Sequence, residues 1–243
     1  MMAAILQSEW YKLRKSKALF VLLAVPLLGV LAGLTADMET GIPGAEWLSI
    51  ISAINNPYGL LFLPLMTGVL AGTICRYEHQ EGGWKQLLAL PVTRGRVFVA
   101  KYMLLLAVMA GMQLLYVAAV YGAGLMQGAT EPFPFELLIK IALGGWIAAF
   151  PLIALQLWVS ILWKSFAAPF VINVIFTLPA VMIVNSEKFG PYYPWTQPFL
   201  MMYAGDRQGQ LFFIPWDQLL LVVGGSFLIF FLGGLLYFQR KPV

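Results

Sequence analysis

One histidine and one cysteine, His79 and Cys75, are all the imidazole and thiol that this 243-residue chain offers. A single His cannot build H-E-x-x-H or any other multi-histidine metal centre, so no metal ligand is assigned. A single Cys excludes an internal disulfide. The dipeptide Gly-Lys never occurs, which removes the phosphate-cradling loop G-x-x-x-x-G-K-[ST]. A Ser or Cys nucleophile inside the apolar runs would need a base beside it, and His79 lies outside those runs. No catalytic residue is assigned, and energy for any work must come from another polypeptide.

The stretch richest in chemistry is Arg76–Lys101, a charged, tryptophan-bearing island between two long apolar runs. It holds Arg76, Lys85, Arg94, Arg96 and Lys101, five of the fifteen Lys and Arg residues. Gly82-Gly83 breaks any helix entering it. Trp84, Leu87 and Leu88 then recur at i, i+3, i+4, one apolar face on a two-turn helix closed by Pro91. Glu78 and Glu81 precede that helix, near its positive end. Thr93 is placed to cap the next helix, which runs through Arg94 and Arg96. Two turns are unstable alone and persist only when packed, against the chain's own spans or against a partner. A membrane-hugging loop with snorkelling charges is the other reading.

Inside the apolar runs polar side chains are few: Gln113, Gln156, Asn173, Thr67, Thr177 and Ser226. Gln113, Gln156 and Asn173 either line a partly polar translocation path or hydrogen-bond between helices. The second reading is favoured, such bonds being worth about 0.6 kcal/mol on average. No Asp or Glu falls in any run, which argues against an ion-coupled carrier.

The elements that must position these residues follow from composition. The chain is 60% hydrophobic and 11% charged, with mean hydropathy +0.81. A soluble domain carries roughly a quarter charged residues. The solvent is therefore lipid, and the fold expected is an all-α integral membrane protein, one transmembrane domain over residues 1–243. Six runs are long enough for a hydrocarbon core of about 30 Å. They are Ala18–Thr35, Tyr58–Cys75, Tyr102–Gly122, Ile141–Leu162, Phe166–Val184 and Leu219–Phe238. With the N-terminus in the cytoplasm, twelve basic residues lie inside (Lys12, Arg14, Lys15, Lys17, Arg76, Lys85, Arg94, Arg96, Lys101, Lys164, Arg240, Lys241) and three outside (Lys140, Lys188, Arg207). The positive-inside rule then puts both termini and the 76–101 island in the cytoplasm. The net charge of +4 is explained by topology and does not suggest nucleic acid.

Residues 1–17 place Met2, Leu6, Trp10 and Leu13 on one helical face, with Ser8, Lys12 and Lys15 opposite. That is an amphipathic helix lying at the cytoplasmic interface, or a ragged extension of an uncleaved first span. Outside, Asp37–Pro57 contains a short helix, Ala45–Ile54. The aromatic, proline-rich segment 185–217 is expected to form re-entrant or short interfacial helices, or else an ordinary aromatic-belt loop. Gly29/Gly33 and Gly68/Gly72 make G-x-x-x-G pairs and permit close helix contact, within the subunit in the safer reading. Cys75, at the cytoplasmic end of its run, is expected to resist impermeant thiol reagents added outside cells.

The chain resembles permease subunits of the ABC type-2 exporters, most of all the lantibiotic- and bacitracin-immunity branch. The matching residues are Ser8-Glu9-Trp10-Tyr11-Lys12-Leu13-Arg14-Lys15, Tyr77-Glu78-His79, and Gly83-Trp84-Lys85-Gln86-Leu87-Leu88-Ala89-Leu90-Pro91-Val92-Thr93-Arg94, closing on Ala100-Lys101. The resemblance implies a coupling helix between the second and third spans, seated on a separate ATPase subunit. Glu78, Glu81, Trp84, Lys85, Leu87 and Leu88 would be its contact residues. It implies two ATPase subunits that hold the ATP and Mg, and a second permease, identical or paralogous. It also implies export of antimicrobial peptides or another amphiphile from a bacterial plasma membrane, conferring immunity. A non-transporting scaffold or sensor that recruits a cytoplasmic protein through the same island is the alternative.

Overall fold

The computed structural model describes residues 2–16, 18–37, 44–80, 83–89, 91–165, 167–203 and 216–241. Lys17, Glu39, Glu81, Gly82, Leu90, Phe166, Asp206 and Arg207 lie outside them, as do the side chains of Leu88 and Trp216. Every regular element among the described residues is helical, as lipid demands of a chain whose backbone must pair with itself.

Helix α1 spans Met2–Lys15 and buries Ile5, Glu9 and Leu13, one residue per turn. The expected apolar face is therefore rotated: Met2 and Trp10 (45% exposed) point away from the protein, while Glu9 is drawn in. Helix α2, Ala18–Gly33, follows, and α1 meets its Phe20–Gly33 part at 66°. The Gly29/Gly33 pair works inside the subunit. A Cβ on Gly33 would stand 2.6 Å from the Ala123 Cβ.

The short helix expected at Ala45–Ile54 forms, as α3 (Ala45–Pro57), but it does not end there. It continues through one π turn, Tyr58–Phe62, into α4, Leu63–His79, making a single 35-residue helical run. Leu63 N–H bonds the Tyr58 carbonyl five residues back, a widened turn between Pro57 and Pro64, neither of which can donate. The segment is thus a continuation of the second span rather than a separate outer element, with Trp47, Ile50, Ile51 and Ile54 buried. Glu46 accepts from Thr130 N (2.8 Å) and Glu131 N (3.3 Å), and Trp47 Nε1 donates to Glu131 O (3.0 Å).

After α5 (Gly83–Ala89) come α6 (Arg94–Gln127), α7 (Phe135–Ala148), α8 (Phe150–Leu162) and α9 (Ala167–Ile183). A 3₁₀ turn at Gly190–Tyr192 leads to α10 (Gln197–Tyr203), and α11 runs over Trp216–Arg240. Between α9 and α11 the expected short helices are present, and they fold back into the bundle. Trp195, Thr196, Gln197, Met201 and Met202 are buried. A Cβ on Gly144 would sit 3.0 Å from the Met201 carbonyl oxygen, so the bare backbone of α7 admits α10.

Among the described residues four helical stretches are long and apolar enough to cross a membrane: Ala45–His79, Arg94–Gln127, Phe135–Leu162 and Asp217–Arg240. The bent pair α1–α2 makes a fifth if taken as one span, and apolar α9 is 17 residues long.

Candidate functional site

The described part of the island Arg76–Lys101 folds at the end of the bundle where α1 packs on α4 and the last turn of α11 meets α6 and α8. Its two-turn helix forms as α5, Gly83–Ala89. Gly83 is required there. A Cβ would stand 2.7 Å from the Tyr77 carbonyl oxygen and 2.9 Å from the Glu78 Cα. The next helix starts where Thr93 predicts, its hydroxyl accepting from Arg96 N at 3.4 Å.

The apolar face of α5 turns inward. Trp84 is 7% exposed, its ring 5.0 Å from Phe238 and 5.6 Å from His79. Leu87 packs, half-buried, on the same core. Lys85, Gln86 and Ala89 face out. The contact set expected for a partner is thereby divided. Glu78, Trp84 and Leu87 are held by the chain's own helices, and Lys85 stays free on the surface. The indole explains this, since it has a large apolar area to bury and finds a polar partner inside.

That partner is His79. Trp84 Nε1 donates to His79 Nδ1 (3.2 Å), so Nε2 carries the proton and donates to the Ser160 carbonyl (2.8 Å). Both ring nitrogens are engaged in a neutral imidazole. His79 rivets α4 to α8 and is not poised as a base.

Beneath α5 lies a charge cluster the sequence reading did not foresee. Lys101 is fully buried and its Nζ meets Glu9 Oε2 (2.6 Å), Glu78 Oε1 (3.0 Å) and the Ile74 carbonyl (3.0 Å). Lys12 joins the same carboxylates, Glu9 Oε1 at 2.8 Å and Glu78 Oε1 at 2.6 Å. Two ammonium groups and two carboxylates balance to zero, so the cluster survives burial that a lone charge would not. It ties α1, α4 and α6 together, and Lys101 lies 5.8 Å from the Trp84 ring. Glu9 was legible in principle, being an acid placed between Ile5 and Leu13 on an otherwise apolar stripe.

Helix α11 is fastened to the same end. Arg94 Nη1 donates to the carbonyls of Phe238 (3.4 Å), Gln239 (3.2 Å) and Lys241, capping the α11 C-terminus with a cation where the dipole favours one. Lys241 donates to the Ile161 carbonyl, and partial burial lowers its pKa. Cys75 is buried here too, so its thiol is shut off from reagents on either side and reports unfolding rather than topology.

The three polar residues proposed for a path are buried and bonded, in two places. Gln156 Nε2 donates to Asn173 Oδ1 (2.8 Å), and Asn173 Nδ2 donates to the Pro64 and Leu65 carbonyls (3.0 and 3.2 Å). Gln113 stands apart and accepts from Tyr58 OH (3.1 Å). Tyr58 stacks on Tyr116 with ring centroids 4.8 Å apart, and Tyr116 OH donates to Asn55. These are interhelical hydrogen bonds. Among the described residues no three His, Cys, Asp or Glu side chains gather to hold a metal ion.

A family model described as ABC-2 family transporter protein matches residues 5–180. The bacitracin transport permease protein BCRB of Bacillus licheniformis is 27% identical over 144 residues, covering 56% of this chain and 68% of that protein.

Proposed function

The chain belongs to the ABC-2 family of transporter proteins, and we propose that it is the membrane subunit of an ATP-driven exporter whose ATPase docks on α5. The ATPase subunits, two of them, hold the ATP and Mg, because this chain carries no phosphate loop. Six spans, from α2 to α11, put both termini in the cytoplasm. The two shortest, α2 at 16 residues and α9 at 17, reach about 24 and about 26 Å at 1.5 Å per residue. A second permease, identical or paralogous, completes the transporter. The cargo is an antimicrobial peptide or similar amphiphile moved outward in the bacterial plasma membrane, a reading supported by the likeness to a bacitracin permease.

One observation carries the docking: α5 shows Lys85, Gln86 and Ala89 to solvent while its other side is riveted to the bundle. Trp84 presses on α11 through Phe238, on α8 through His79, and sits beside the Lys101 cluster that holds α1, α4 and α6. A push on the exposed face therefore reaches five helices at once. Charge reversal tests this without disturbing the buried side. Lys85→Glu with Ala89→Glu is expected to abolish co-purification of the ATPase while the permease keeps its thermal stability. Unchanged co-purification counts against docking at α5.

A further inference from the structure

Two hydrogen-bonded half-lines converge on α8 from opposite ends of the bundle. From one end, Trp84 Nε1 bonds His79, and His79 bonds the Ser160 carbonyl. From the other, Trp195 Nε1 donates to Asn173 Oδ1 (2.8 Å), which also accepts from Gln156 Nε2 (2.8 Å). Gln156 and Ser160 are four residues apart on one helix, so they share a face with Cβ atoms about 5–6 Å apart. Both are buried, yet Gln156 Oε1 and Ser160 Oγ have no hydrogen-bond partner among the described residues.

We propose that one ordered water binds between Gln156 Oε1 and Ser160 Oγ and completes a hydrogen-bonded line from Trp84 to Trp195. The chemistry selects water. An amide oxygen and a hydroxyl supply only two neutral oxygen ligands, too few to replace a cation's hydration shell. A water that donates to Oε1 and bonds Oγ, each at about 2.8 Å, satisfies both atoms. Buried polar groups are normally satisfied, by protein or by such a water. Helix α4 packs on this face of α8. Gly68 meets Asn173, and His79 meets Ser160. Gly72 and Cys75 fall between them at spacings of four, three and four residues, and both are buried. Gly72 adds no side chain to the space.

The line is a rigid link between α5 and the α10 segment, and its use in transport rests on the docking reading above. The water site itself stands on α8 alone. Its test is a structure of the purified protein in lipid nanodiscs at a resolution that shows waters. Density within hydrogen-bonding distance of both Gln156 Oε1 and Ser160 Oγ is expected. A dry gap, with Ser160 Oγ turned back onto the Gln156 carbonyl, overturns the proposal. Thermal unfolding gives an independent check with Gln156→Met, Ser160→Ala and the pair. Two groups sharing one water lose it together, so the double variant should lose no more Tm than the worse single. Additive losses overturn the shared site. Neither result bears on whether an ATPase binds through Lys85, so the two readings fail separately.

Discussion

Lys101, fully buried, meets Glu9, Glu78 and the Ile74 carbonyl. Removing one member of such a buried group leaves an uncompensated charge and costs about 3–5 kcal/mol. Lys101→Met should therefore destabilise the protein by about that amount, seen as a lowered Tm in detergent. Adding Glu9→Gln restores the balance, leaving Lys12 on Glu78, and should recover most of the loss. Full additivity of the two substitutions would show that the cluster does not act as a unit. At this scale the sequence was half legible. Trp84, Leu87 and Thr93 could be placed by spacing, because helical periodicity and capping are local. The inward turn of Trp84 could not, since it depends on Phe238 and His79 arriving from other helices. The pairing of Glu9 with Lys101, 92 residues apart, is equally invisible to any local pattern.

Among the elements, α3 and α4 show why a boundary read from hydropathy misleads. Asn55, Asn56 and Pro57 resemble a loop in sequence, yet the helix passes through them, with Asn55 bonded to Tyr116 and Pro57 absorbed at a π turn. Tertiary partners, Tyr116 for the Asn55 oxygen and Tyr203 for the Asn56 oxygen, replace the water that composition alone assigns to these residues. Glycines were more faithful guides. Gly68 in α4 lies against α9, where an added Cβ would stand 2.3 Å from Asn173 Nδ2. Gly68→Ala should therefore overpack the contact and cost about 1–3 kcal/mol. Adding Asn173→Ala should relieve the clash, so that the pair costs less than the sum of the singles in thermal unfolding. An innocuous Gly68→Ala would mean that α4 and α9 do not meet at this depth. The chain between α9 and α11 follows the same logic. Trp195 and Met201 enter the bundle because Asn173 and the bare backbone of Gly144 receive them.

Taken whole, the molecule fastens one end tightly. Lys12, Lys101, Arg94 and Lys241 each bond a different helix from their own or a chain terminus, and Trp84 sits among them. The far sides of α2 and α11 expose Phe20, Leu27, Leu221 and Ile229, surface suited to lipid. That asymmetry is what a membrane subunit driven from one side requires. On the docking proposed above, energy would arrive through the small exposed face of α5, and the rest of that helix would convert contact into movement of the bundle. Site-specific crosslinking in native membranes tests this most directly, with a photo-reactive residue placed in turn at positions 84, 85 and 89. The account predicts adducts with an ATPase from positions 85 and 89 and none from 84. An ATPase adduct at 84, or none at 85 and 89, would contradict it.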